Sequence, residues 1–194
     1  MKDITNNEML FVLTVFKNPE IEYNARSISR ILGISHMGAL KIGKRLEKEG
    51  ILISKERGRA IFYWLNLKND YIKQYIKFLL KREAEQVHSY VKRWVNELKK
   101  IKNADGIILF GSILNKHENA NDIDVLFITN QKKFSKLQKE IKDINLVNVK
   151  KIHPIFQTKG DIIKNIKIEH KPLLNAIKGI IVLGEDILIK ILEK

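Results

Sequence analysis

The chain has 194 residues, and 36 lysine and arginine side chains against 22 acidic ones give it a formal net charge of +14. It has no cysteine, which excludes disulfides, thiolate nucleophiles and cysteine metal sites. No apolar stretch is as long as a membrane span and the start lacks a secretory pattern, so we expect a cytoplasmic protein with no membrane partner. The positive charge favours a polyanionic partner, although a lysine-rich composition also arises from genome bias or a hot habitat.

The first fifty residues predict three helices. The first covers residues 5–16, where Thr5 or Asn6 is the candidate N-cap and apolar residues recur at helical spacing. A short helix follows and ends at Gly33, and another begins after Ser35 and runs to Glu49. Two helices joined by a tight turn that contains glycine have the spacing of a helix-turn-helix.

A hairpin with a basic tip is predicted next. Two strands, 51–55 and 60–67, flank the segment Glu56-Arg57-Gly58-Arg59. Three helices followed by a basic hairpin resemble the winged-helix domains of MarR-like and ArsR-like bacterial and archaeal regulators. The resemblance implies that residues 1–69 form a domain that binds double-stranded DNA through its third helix.

The third helix divides into two faces. Leu40, Gly43 and Leu46 are predicted to face the domain core, and the glycine allows close approach. The side chains predicted to contact DNA lie at the start and outer side of this helix and at the hairpin tip: Ser35, His36, Met37, Lys41, Lys44, Arg45, Arg57 and Arg59. Those near the helix start are placed to read base edges, and the basic ones to bind phosphates or a minor groove. The alternative is a winged helix that mediates only protein contacts.

Residues 70–102 predict a helical linker, because they lack proline and glycine and carry apolar residues at helical spacing. One break is expected near residues 81–85. The apolar stripe either packs between two domains or pairs with a second subunit to give a homodimer. His88 lies among apolar positions and is interpreted as an interface or packing residue, not as a ligand.

The motif with the most chemical information lies between two apolar runs. Residues 107–110 end at Gly111-Ser112, a polar loop follows, and Asp122-Ile123-Asp124 opens the second run. If both runs are strands, the two aspartates point to the same side. Neighbouring carboxylates repel each other unless a cation lies between them, and Mg²⁺ or Mn²⁺ suits oxygen ligands.

This motif resembles the signature of the DNA polymerase β superfamily of nucleotidyltransferases, especially its minimal members. The resemblance implies that residues 103–194 form a mixed sheet flanked by helices, so that the whole chain is of mixed α/β (α+β) class. It implies that Asp122 and Asp124 are catalytic and bind the metal, and that Gly111, Ser112 and Lys116 bind the NTP. The implied activity is Mg²⁺-dependent transfer of NMP to a hydroxyl group on a protein, a small molecule or a nucleic acid.

Beyond the motif, strands and helices alternate. A helix is predicted over Gln131–Asp143 and a strand over residues 144–156, bulged near His153. Helices over 158–168 and 172–177, a strand over 180–183 and a last helix complete the chain.

The superfamily resemblance also implies a third carboxylate from a later strand, and Asn148 stands where we look for it. An asparagine carries no charge and takes no proton at neutral pH. Asp143 and Asp161 are read as helix-end residues, and His153 could act as a base. Two hypotheses therefore stay open: an enzyme, or a winged-helix transcription regulator, antitoxin-like, whose degenerate second domain only binds nucleotide or mediates dimerisation.

Overall fold

The computed structural model describes residues 4–193. The chain divides into two compact units, one ending at Leu79 and the other running from Leu80 to Leu192. The mixed α/β class predicted from the sequence is confirmed. Among the helices of the described residues, none has the length and apolar character needed to cross a membrane.

The first unit has the layout of a winged helix-turn-helix. Its elements are α1 (Asn6–Lys17), β1 (Tyr23–Asn24), α2 (Ala25–Leu32), α3 (His36–Lys48), β2 (Leu52–Arg57) and β3 (Ala60–Leu65). β3 lies between β1 and β2 and is antiparallel to both. The predicted three helices and hairpin are confirmed, whereas β1, which is only two residues long, was not predicted.

Local signals set the helix ends of this unit. The Thr5 hydroxyl accepts a hydrogen bond from the Glu8 N–H, and the Glu8 carboxylate accepts one from the Thr5 N–H, which forms a capping box. Gly33 ends α2 in the left-handed region at φ 65°. Ser35 caps α3, where its hydroxyl accepts a hydrogen bond from the Gly38 N–H at 3.0 Å.

Packing in the first unit brings α3 against β3. A Cβ atom added at Gly43 would lie 2.7 Å from the ring of Tyr63, so the glycine permits the close approach. The predictions that Gly43 and Leu46 face the core are confirmed. Leu40 is only partly buried, and Ala39 is the residue that lies fully in the core.

The second unit contains a four-stranded sheet. The boundary between the units falls within α4 (Asp70–Gln86), and the elements that follow are α5 (Ser89–Leu98), β4 (Gly106–Phe110), α6 (Ile113–Lys116), a 3-10 helix (His117–Asn119), β5 (Ile123–Ile128), α7 (Gln131–Val147), β6 (Ile152–Gln157), α8 (Lys159–Lys167), α9 (Lys171–Ile177), β7 (Ile180–Leu183) and α10 (Glu185–Leu192). The strand order is β6-β5-β4-β7. β4 is antiparallel to β5 and β7, whereas β5 and β6 are parallel.

The predicted helical linker differs from the structure. The break falls after Gln86, at Val87-His88, and not at residues 81–85. The apolar face of α5, including Trp94 and Val95, is buried in the same core as β4 and β5, so α5 belongs to the second unit. His88 is not a packing residue: its ring is exposed at the N-cap of α5, where Nδ1 accepts a hydrogen bond from the Tyr90 N–H.

The strand predicted over residues 144–156 is wrong in its first half. α7 continues to Val147, and only residues 152–157 form β6. Leu137, Ile141 and Ile144 are buried at helical spacing, and this face carries α7 beyond the predicted end at Asp143. The alternating apolar residues that suggested a strand are instead exposed to solvent, namely Leu146, Val147 and Val149.

Candidate functional site

The Gly111-Ser112 turn lies at the end of β4, and Gly111 faces Asp124. Gly111 has φ 81°, a left-handed conformation that glycine adopts without strain. A Cβ atom built on Gly111 would overlap with Oδ2 of Asp124. The glycine therefore leaves room for the carboxylate, and Ser112 begins the next turn of chain at α6.

Asp124 lies between two strands that supply the other parts of the site. In β5 it is opposite Phe110 of β4 and opposite His153 of β6. Its side chain is 23% exposed, so it is shielded from solvent yet open to a ligand. Asp122 is exposed and immediately precedes β5.

His153 completes the cluster. Its Nδ1 lies 3.1 Å from Oδ1 of Asp124, and ligand atoms of Asp122, Asp124 and His153 all lie within 4.8 Å of one another. Two carboxylates and one imidazole are a donor set that divalent ions such as Mg²⁺ or Mn²⁺ accept, the imidazole suiting Mn²⁺ better. The residues present therefore fit the metal that the sequence predicted.

The prediction that Asn148 occupies the strand position of the third carboxylate is wrong. Asn148 follows the last turn of α7 and is buried, not exposed on a strand. Its Oδ1 accepts a hydrogen bond from Nη2 of Arg93 at 2.9 Å, and its Nδ2 donates to the carbonyl of Ile144 at 3.0 Å. The bond from Arg93 connects the end of α7 with α5. The position beside Asp124 on the neighbouring strand belongs to His153.

Of the two other acids near the motif, Asp161 lies at a helix end as predicted, whereas Asp143 lies within α7, which continues to Val147. Asp143 is exposed on α7. Asp161 lies in the first turn of α8, where its Oδ2 accepts hydrogen bonds from the hydroxyl and the N–H of Thr158, the N-cap residue. These hydrogen bonds lower the pKa of Asp161 below its ordinary value, and the bond from the Thr158 hydroxyl has the larger effect. Neither acid belongs to the cluster around Asp124.

Two lysines are associated with the loop between Ser112 and Asp122. Lys116 is exposed in the last turn of α6, and its contact with a nucleotide remains a prediction. Lys150, which sequence reasoning did not select, donates a hydrogen bond from Nζ to the carbonyl of Ala120. The loop between α7 and β6 places Lys150 beside Ala120. No local sequence pattern predicts this position.

Most of the residues at α3 that were predicted to contact DNA are exposed to solvent. His36, Met37, Lys41 and Lys44 are exposed, and Ser35 caps the helix. These positions form one outward face, the opposite side from Ala39, Gly43 and Leu46, which are buried.

The predicted arginines are in three different states. Arg45 makes ion pairs with Glu8 at 2.6 Å and Glu49 at 2.9 Å, and its pKa is raised chiefly by the hydrogen bond to Glu49. Arg57 pairs with Glu22 at 2.6 Å, and it also lies over the rings of Phe62 and Trp64. Arg59 is exposed at the hairpin tip. Arg45 is therefore engaged within the unit.

Residues 91–178 match the family model described as "Nucleotidyltransferase domain". The matched span contains Gly111, Ser112, Asp122, Asp124 and His153, and it supports a nucleotidyltransferase domain in the second unit. A search of curated proteins found no match.

Two solved structures, both of mutants of ZitR from Lactococcus lactis, show a distant likeness. The single mutant is 13% identical, with a TM-score of 0.31, over 52% of this chain and 75% of that one. The double mutant is 11% identical, with a TM-score of 0.29, over 51% of this chain and 73% of that one. At these TM-scores neither structure adds to the assignment of fold or function.

Proposed function

We propose that the protein is a DNA-binding nucleotidyltransferase that transfers NMP from an NTP to a hydroxyl group of an acceptor. The observation that carries the proposal is the placing of Gly111, Asp122, Asp124 and His153 together at one end of the sheet, within the span that matches the family model. The winged-helix layout of the first unit supports the DNA-binding part.

In this reaction the acceptor oxygen forms a bond to the α-phosphorus while the bond from that phosphorus to the β-phosphate oxygen breaks. Pyrophosphate leaves, and the hydroxyl proton passes to solvent. A divalent ion held by Asp122, Asp124 and His153 would supply positive charge to the triphosphate. Backbone N–H groups at Gly111-Ser112 and the ammonium groups of Lys116 and Lys150 suit the remaining phosphate oxygens.

The transfer is tested by incubating the protein with cell extract, Mg²⁺ or Mn²⁺ and each of the four α-³²P-labelled NTPs in turn. We expect at least one NTP to label a discrete acceptor. If no NTP gives labelling above that of the Asp122→Asn/Asp124→Asn double variant, the proposed transfer is contradicted.

His153 is proposed as a nitrogen ligand to the ion. With Mn²⁺ as the probe, electron spin echo envelope modulation should show coupling to ¹⁴N in a His88→Asn/His117→Asn background, which removes the imidazoles of the other cluster of possible metal ligands among the described residues. The coupling should be absent when His153→Ala or His153→Asp is added to this background, and the aspartate variant should still bind Mn²⁺ because it restores an oxygen donor. Persistence of the ¹⁴N signal in both variants would contradict this role.

The outward face of α3 is proposed to bind DNA phosphates. Replacing Lys41 and Lys44 by alanine should weaken binding at all DNA sequences and lower the slope of log K against log salt by about 2, because two phosphate contacts are lost. Fluorescence anisotropy with duplex DNA at several salt concentrations measures the slope. The matched control is Lys136→Ala/Lys139→Ala on the exposed side of α7, for which the slope should stay unchanged. Equal slopes for both double variants would exclude this DNA-binding face.

One observation favours a second function, that of a transcription regulator whose second domain does not catalyse nucleotidyl transfer. The group paired with Asp124 on β6 is an imidazole, where the superfamily resemblance implies an acid. In that case Asp124→Asn would leave salt-sensitive DNA binding unchanged, and native protein would transfer no label.

A further inference from the structure

A second cluster of metal-ligand side chains lies in the same unit and shares no residue with the first. His88 at the N-cap of α5 meets His117 and Glu118 at the start of the 3-10 helix. Their ligand atoms all lie within 4.8 Å of one another. The cluster includes two imidazoles, which is the donor type that zinc-class ions prefer.

The two imidazole rings are stacked. Their centroids are 3.8 Å apart and their planes differ by 4°. The stack therefore holds two imidazole rings, each a possible nitrogen donor to a metal ion, in contact with each other.

The third donor has no competing partner. Within residues 4–193, Glu118 makes no hydrogen bond or ion pair, although the chain carries a net charge of +14. Glu118 and His88 are exposed and His117 is half-buried, so an ion and its water ligands can reach all three. Among the described residues, the hydrogen bond that these three side chains make is the long one, 3.4 Å, from the Tyr90 N–H to Nδ1 of His88.

We infer that His88, His117 and Glu118 form a site for a zinc-class divalent ion, with water in the fourth position. Two nitrogen donors and one carboxylate match zinc, and they disfavour Mg²⁺, which prefers oxygen ligands. In stacked rings the nitrogen lone pairs lie in two parallel planes and do not converge on one ion, so at least one ring must turn to bind it. His88 is the ring that turns, since it is exposed and weakly bonded.

Occupation of this site would connect two parts of the unit. His117 and Glu118 belong to the loop between Ser112 and Asp122, and His88 belongs to the start of α5. An ion bound by all three would fix that loop to α5. The inference stands on this cluster alone and does not require the proposed transferase activity.

The test is titration of the full chain with Zn²⁺ by calorimetry, in an Asp124→Asn/His153→Ala background that removes the other cluster. We expect one equivalent of Zn²⁺ to bind, and bound Co²⁺ to give the visible absorption of a four-coordinate site. His88→Asn and His117→Asn should each weaken binding by at least about tenfold. His170→Asn, at the N-cap of α9, is the matched control and should bind like the background protein.

Circular dichroism shows whether each variant is folded, and the exposed His88 is the safer substitution if His117→Asn unfolds. Equal Zn²⁺ affinity in the background protein and in folded His88→Asn would overturn the inference. So would the absence of Zn²⁺ binding once Asp124 and His153 are replaced.

Discussion

Replacing Asp124 by asparagine is expected to reduce the rate of NMP transfer by more than about 100-fold. Removing a metal ligand costs more activity than removing a residue that only orients a metal ligand. Asp124 is the one member of the cluster that faces both the Gly111 turn and His153. The asparagine keeps the shape of the side chain and removes its charge. Initial rates of acceptor labelling, with folding checked by thermal melting, measure the effect.

The matched control is Asp143→Asn, an exposed acid on α7 that lies outside the cluster. Its transfer rate should equal that of the native protein. Transfer that survives in Asp124→Asn at the native rate would remove Asp124 from the site.

Replacing Gly111 by alanine is the second change with a large expected effect. The added Cβ atom would overlap with Oδ2 of Asp124, and the φ of 81° is unfavourable for a side chain. We expect a loss of about 1–3 kcal/mol in the free energy of unfolding from the strained backbone. We also expect roughly 100-fold slower transfer, because Asp124 must move to relieve the overlap. Denaturant unfolding and the labelling rate measure the two effects separately.

Gly160→Ala in the first turn of α8 is the control, since a Cβ atom there meets nothing closer than 3.7 Å and φ is not positive. It should fold and transfer normally. If Gly111→Ala behaved like Gly160→Ala, the close approach of the turn to Asp124 would have no functional role.

The parts of the fold that were predicted correctly depend on local signals. The Thr5 cap, the Gly33 turn and the Ser35 cap each act within a few residues, so the sequence beside them is sufficient. The Gly111-Ser112 turn and the acid-apolar-acid pattern at Asp122 and Asp124 were found for the same reason.

The parts that were missed depend on contacts between distant segments. Whether Asn148 or His153 lies beside Asp124 is decided by where α7 ends and by the parallel register of β6 on β5. Leu146 and Val147 were interpreted as part of a buried strand, although they are exposed. The strand was therefore predicted to begin too early in the sequence. Correct placement of the strand start would have identified His153 as the third member of the cluster.

Charge partners were equally hard to foresee. Arg45 looks like a phosphate contact in the sequence, but Glu8 of α1 and Glu49 engage it. His88 looked like a packing residue, yet the end of α4 leaves it exposed beside His117. Helical spacing predicts on which face of a helix a residue lies. Which side chain it contacts there depends on the tertiary structure.

The central claim, that Gly111, Asp122, Asp124 and His153 form a site of nucleotidyl transfer, is tested most directly by following which phosphate moves. The preferred NTP is supplied in parallel with ³²P at the α- or the γ-position, and labelled acceptor and pyrophosphate are both quantified. We predict that the α-label appears on the acceptor, that the γ-label appears only in pyrophosphate, and that the two amounts are equal. Label on the acceptor from the γ-position, or no label from any NTP with native protein, would contradict the account.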